Sequence, residues 1–229
     1  HGDNFELWMQ GYTTGIFHPQ YHAREHLNVS MFMSALQNGN SDVHWGFKHG
    51  MPGSIPMGTT SKGNDYVEAT HFNSEMDKQD KLDIYLEGLA IFEKLFGYKS
   101  KSIIPTNYIW HQDFDIHLAH AGVKYIQSVK KYIQPSTNDH YQYVRRILGR
   151  KTKGGLIELV RNVIFEPSAD PSNKIVNNVL RDIGIAFKMK KPAIICSHRI
   201  NYVGFIDETN RDRNLRMLDY ILKEIIKTW

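Results

Sequence analysis

A chain of 229 residues, 41% hydrophobic and 23% charged, has ordinary globular composition and enough length for one large core, so a single domain over 1–229 is expected. Its formal charge of +4 comes from scattered Lys and Arg, and the one local basic run, Phe187-Lys188-Met189-Lys190-Lys191, reads as a helix end, which argues against a nucleic-acid partner. The single Cys196 excludes an internal disulfide framework, and no run approaches the ~18 apolar residues of a membrane span, so a soluble protein is expected, with secretion and the periplasm left open as compartments.

The elements follow in chain order. An amphipathic helix is expected over 4–12 and, because the chain begins inside it without Met, a longer parent is expected. Ile16-Phe17-His18 before Pro19 reads as a strand running into a loop. Asn28 or Ser30 then caps a helix carrying Val29, Phe32, Met33 and Leu36 at helical spacing. From 38 to 81 the chain is rich in Gly, Ser, Asn and Pro and predicts a long loop, functional or mobile. A helix over 81–96 stops at Gly97, and Ser102-Ile103-Ile104 forms a strand that ends at Pro105. Further elements are a helix over 113–121 stopped by Gly122, strands over 123–126 and 156–165, a helix over 173–189, a strand over 193–196 and a terminal helix over 211–229. Strand and helix alternate, which predicts an α/β fold with a parallel sheet or barrel covered by helices.

Two constellations carry chemistry. The apolar run Ile194-Ile195-Cys196 ends on Ser197-His198-Arg199, and functional groups collect where a buried strand emerges at its carboxyl end. His198 is therefore a candidate catalytic residue. His22 and His26 are four apart with Glu25 between them, a spacing that suits two imidazole ligands to a zinc-like metal. His22-Ala23-Arg24-Glu25-His26 also spells the H-x-x-E-H pattern of a metalloprotease with Glu25 as base, but that motif belongs on a helix and Pro19 and the Asn28 cap place this one in a loop. Glu87 and Glu93 fall on the solvated side of their helix, and His18 precedes Pro19, so none of the three is a strong third ligand. Asn107, Tyr108 and Trp110 form an aromatic strand exit suited to stacking on sugar rings, and Arg199 is placed to orient a substrate. Phe165-Glu166-Pro167-Ser168 reads as a turn with a capping carboxylate. Cys196 and Ser197 lack the G-x-S-x-G elbow of a nucleophile.

On these residues the chain resembles the polysaccharide deacetylases of carbohydrate esterase family 4. His22-Ala23-Arg24-Glu25-His26 is similar to their H-S/T-x-x-H motif, and Ile194-Ile195-Cys196-Ser197-His198 to their strand ending in Leu-x-His. Gly88, Phe92 and the stretch from Phe96 to Tyr108 resemble the helix and groove strand between them. Ala23 replaces the usual hydroxyl residue, no Arg precedes Pro105, and the aspartate pair expected upstream of the histidines has only Asp3 to answer for it. The resemblance implies an irregular (β/α) barrel lacking its first strand or strands here, and a hydrolase removing acetyl groups from a carbohydrate. It further implies a divalent metal, zinc or similar, on His22 and His26, with an incomplete and weakly occupied site in this stretch of chain, and His198 as the acid. The alternatives are the metalloprotease and a carbohydrate-binding protein that keeps the groove without turnover.

Overall fold

The computed structural model describes residues 4–51, 66–137, 142–172 and 174–229. Among these, seven helices and seven short strands make a mixed α/β structure whose strands form three separate small sheets and no closed barrel. The chain divides into two compact units, His1–Glu158 and Leu159–Trp229.

In the first unit α1 (Phe5–Thr13) forms as expected, but 16–18 is not a strand. The N–H groups of Ile16 and Phe17 both donate to the Gly11 carbonyl at 2.9 Å, closing the end of α1, and Ile16 is 74% exposed. Extended pairing begins instead at Tyr21, bridged in parallel to Ile103 of β1 (Ser102–Ile103). β1 pairs in parallel with β2 (Tyr125–Ser128) in a sheet of order β1-β2-β5, where β5 is Ile157–Val160. Between β2 and β5 lies an antiparallel hairpin, β3 (Lys131–Gln134) and β4 (Gln142–Arg145), in a stretch where the sequence reading places no element.

α2 (Val29–Gln37) is followed by α3 (Ser41–Lys48), a helix inside the stretch expected as loop; of the rest of that stretch, 66–74 is irregular, 75–81 is helix and 52–65 lies outside the described residues. α4 (Glu75–Phe96) starts six residues before the expected position, because its first turn is polar and carries no apolar stripe. Its start is written in the caps: Ser74 Oγ accepts from the Asp77 N–H and Asp77 Oδ2 accepts from the Asn73 N–H. Gly97 ends it at φ 75°, the left-handed C′ conformation that glycine adopts without strain. Tyr21, Tyr85, Phe92, Ile103, Phe114 and Ile126 are among the buried residues between α4, α5 (Phe114–His120) and the sheet, each contributing about 1.5–3 kcal/mol on burial.

Asn28 ties this unit together and is fully buried. Its Oδ1 accepts from the Met31 N–H, capping α2, and from Lys81 Nζ at 2.9 Å. Its Nδ2 donates to the carbonyls of Glu68 and His71, and its N–H to that of Tyr66 at 2.6 Å. Asn28→Ala is expected to cost about 2–4 kcal/mol, the cap plus the buried groups left unpaired, with Asn28→Ser recovering the cap share of about 1 kcal/mol. Urea denaturation followed by circular dichroism measures this, and a loss below about 1 kcal/mol for the alanine variant contradicts it.

In the second unit β6 (Val163–Ile164) and β7 (Ile195–Cys196) pair in parallel, connected through α6 (Lys174–Lys188), with α7 (Glu208–Thr228) packed on α6. Val176, Val179 and Ile183 put one apolar face of α6 against Val163 and Phe165. The expected single strand over 156–165 is two strands. The break is at Asn162, whose side chain accepts from the Ile194 N–H at 2.7 Å and donates to the Pro192 carbonyl, fixing the approach to β7.

Candidate functional site

The histidine loop of the first unit is held at both ends. At its start the Tyr21 N–H donates to Ser100 Oγ at 2.8 Å, and the Tyr21 ring lies against α4 at Gly88, where a Cβ would fall 2.0 Å from the hydroxyl oxygen. Only glycine allows that approach. At its end stands Asn28. Between them 22–27 is loop, not helix, so the local geometry of an H-x-x-E-H metalloprotease is not present. Ala23 takes φ 118°, a left-handed backbone that costs an alanine free energy and marks the loop as held by its surroundings.

The His22 and His26 rings are exposed and stacked, centroids 5.0 Å apart. Arg24 pairs with Glu25 and with Glu87, and the bond to Glu25 above all raises its pKa further beyond the ordinary guanidinium value. Glu25 thus serves an ion pair. His18 stacks on Tyr98, centroids 4.9 Å apart, in an aromatic group with Tyr12. His22 and Arg24 line a groove of about 610 Å³ together with Trp8, Phe5, Phe92 and Phe96. Two imidazoles fit as two ligands of a divalent ion, whereas catalytic zinc takes three, and among the described residues no third His, Cys, Asp or Glu completes the set.

Of the expected substrate residues in this unit, Trp110 lies in the core. It is 1% exposed and its Nε1–H donates to Asp115 Oδ1 at 2.8 Å, so no ring face is open to a sugar. Burial raises the pKa of that carboxyl above the ordinary aspartate range. Asn107 and Tyr108 lie not on a strand but in a single 3₁₀ turn, Thr106–Tyr108, both with positive φ (50° and 57°). Asn107 is exposed and donates to the Val67 carbonyl, while Tyr108 is half-buried against the core. Two successive left-handed residues that are not glycine store strain, which Asn tolerates better than Tyr.

His198 stands where the sequence places it, two residues beyond β7. The register pairs Val163 with Ile195 and Ile164 with Cys196. Continued by two residues, it sets Glu166 opposite His198, and since side chains alternate, Cys196, His198 and Glu166 share one face. His198 Nδ1 lies 2.6 Å from Glu166 Oε1. A carboxylate cannot donate, so Nδ1 carries the hydrogen and Nε2 is the atom presented to solvent from a side chain 64% exposed. Glu166 is itself held: Asn201 Nδ2 donates to its other oxygen at 2.8 Å, and Asn201, fully buried, accepts from the Ser168 N–H and is braced by Asn214. Ser197 Oγ meets the Tyr202 hydroxyl at 2.6 Å, and Arg199 is exposed beside His198 at the start of the 3₁₀ turn Arg199–Asn201.

The role of Glu166 is what sequence reasoning missed. No local signal gives it, because Glu166 follows its apolar run at once and His198 follows its own after Ser197, and only the register of β6 against β7 brings the two opposite. Cys196, 7% exposed, lies with its Sγ 3.9 Å from Glu166 Oε1 and accepts from Arg161 Nη1 at 3.1 Å. Among the described residues, the group of three His, Cys, Asp or Glu side chains with ligand atoms all within 4.8 Å of one another is Glu166, Cys196 and His198. Among the described residues no helix is long and apolar enough to cross a membrane. No family model matches the chain, and no curated protein matches it.

Proposed function

We propose that this protein is a hydrolase that removes acetyl groups from a carbohydrate, with His198 as its general acid and an irregular (β/α) barrel as its fold. The observation that carries the reading is the Glu166–His198 pair at the carboxyl ends of two neighbouring parallel strands, where catalytic groups of α/β proteins collect. Glu166 holds the Nδ1–H and supports the imidazolium formed when Nε2 takes up a proton, and Nε2 then delivers that proton to the departing amine or alkoxide. Arg199 stands beside it to hold the sugar, and Asn107 and Tyr108 are the remaining candidates for contacts to it. His22 and His26 would hold a divalent metal, zinc or similar, which when bound polarises the acetyl carbonyl and activates water. The parallel pairings β1–β2 and β6–β7 and the strand-helix alternation support the barrel.

Acetate release from acetylated chito- and xylo-oligosaccharides by the folded protein with added zinc or cobalt tests the activity, and metal analysis of wild type, His22→Ala and His26→Ala tests the ligands. Turnover that needs metal, with metal content falling in both variants, is expected. Equal metal content in all three removes the histidine pair. Oligosaccharide binding without release favours the second reading, a carbohydrate-binding protein, which the lack of a carboxylate ligand beside His22 and His26 among the described residues supports.

A further inference from the structure

We propose that Glu166, Cys196 and His198 form a binding site for a thiophilic divalent cation, zinc in the first instance, separate from the His22 and His26 pair. The residue types are those zinc takes: thiolate, imidazole and carboxylate, three protein ligands with a fourth position left for water. Around a tetrahedral zinc, ligand atoms lie about 3.3–3.6 Å apart. The sulfur stands 3.9 Å from Glu166 Oε1 and needs little movement, whereas the 2.6 Å contact between Nδ1 and that oxygen must widen by under about 1 Å, which an exposed imidazole ring allows. The placement follows from the strands: Cys196 ends β7, the Phe165 N–H donates to its carbonyl at 2.9 Å, and His198 and Glu166 each stand two residues beyond their strand, so the pairing of β6 with β7 carries the three ligands to one face.

The surroundings suit a bound thiolate. Arg161 Nη1 already donates to Sγ at 3.1 Å and Asn201 Nδ2 to the second oxygen of Glu166, the kind of outer hydrogen bonds that orient metal ligands. On binding, Cys196 gives its thiol proton to solvent, the ring proton of His198 moves from Nδ1 to Nε2, and Nδ1, Sγ and one Glu166 oxygen face the cation. The pairing of His198 with Glu166 is lost in the process. If His198 is the acid of the proposed hydrolase, occupation of this site inhibits turnover; that consequence rests on the functional reading, while binding does not.

Cys196 is the only cysteine in the sequence, so a sulfur-to-metal signal has one possible origin. Titration of the intact chain with cobalt(II) is expected to give a thiolate-to-cobalt charge-transfer band in the near ultraviolet, displaced by zinc. The His22→Ala/His26→Ala double variant keeps the band, Cys196→Ser abolishes it, and Glu166→Gln and His198→Gln, which keep the cysteine, bind cobalt at least about tenfold more weakly. Circular dichroism confirms that each variant is folded. No band in folded wild type, or unchanged affinity in both Glu166→Gln and His198→Gln, overturns the site. Acetate release without the band leaves the hydrolase and refutes this site; because the occupied site withdraws His198, the hydrolase is judged in the Cys196→Ser protein, where absence of acetate release refutes it and leaves this site standing on the band.

Discussion

Replacing Glu158 by glutamine is expected to cost about 3–5 kcal/mol of stability. The Glu158 side chain is 2% exposed, so its charge is tolerable only because every lone pair is used. Arg146, itself 3% exposed, donates from Nη1 to Oε1 at 3.1 Å, and Arg150 grips the carboxylate through Nε and Nη2 at 2.9 and 2.8 Å. The Ile147 N–H adds a fourth bond at 2.7 Å. This grip is the first cause of a raised Arg150 pKa. Arg146 also lies over the Tyr132 ring, 4.2 Å from its centroid, so the pair anchors the β3–β4 hairpin to the end of the unit.

Glutamine removes the charge and turns an amide donor toward two guanidinium groups, leaving Arg146 buried without a counter-ion. Arg150→Ala should cost only about 1 kcal/mol, because its side chain is 44% exposed and water screens what it loses. Arg146→Met combined with Glu158→Leu should recover most of the loss, since an apolar pair leaves no orphaned charge. Chemical denaturation of the four proteins decides this. A Glu158→Gln protein within about 1 kcal/mol of wild type would show that the carboxylate is not the anchor.

The second large effect is on turnover. On the proposed function, His198→Ala is expected to lower kcat for acetate release by about 10²–10⁴-fold, the range for loss of a positioned acid, equivalent to about 2.7–5.4 kcal/mol, with KM little changed. Because the side chain is mostly exposed, the fold should survive. Glu166→Gln should lower kcat less, about 10–100-fold, by loosening the ring and the tautomer. Full activity in a folded His198→Ala protein would sink the assignment of the acid, and an unchanged kcat in Glu166→Gln would reduce that carboxylate to a structural brace.

The features legible in the sequence are those made by neighbours along the chain. The Asn28 cap, the Gly97 stop and the strand that leads to His198 each depend on a few consecutive residues, and the structure has each of these at the residues expected. Where a segment's partner is distant, the sequence reading and the structure part. Ile16 and Phe17 have strand composition, yet their N–H groups close the preceding helix. Trp110 has the composition of a sugar platform, yet a carboxylate five residues on draws it inside. Glu158 reads as one charged residue in an alternating strand until two arginines converge on it. The pairing of Glu166 with His198 depends on the register of β6 against β7, thirty-two residues apart, and no local pattern states a register. Hydrogen bonds and apolar spacing within a turn are fixed by sequence distance. Which buried charge meets which, and which aromatic ring is covered, is decided only when the sheets and helices pack, because that is when water is excluded and each polar group must find its partner.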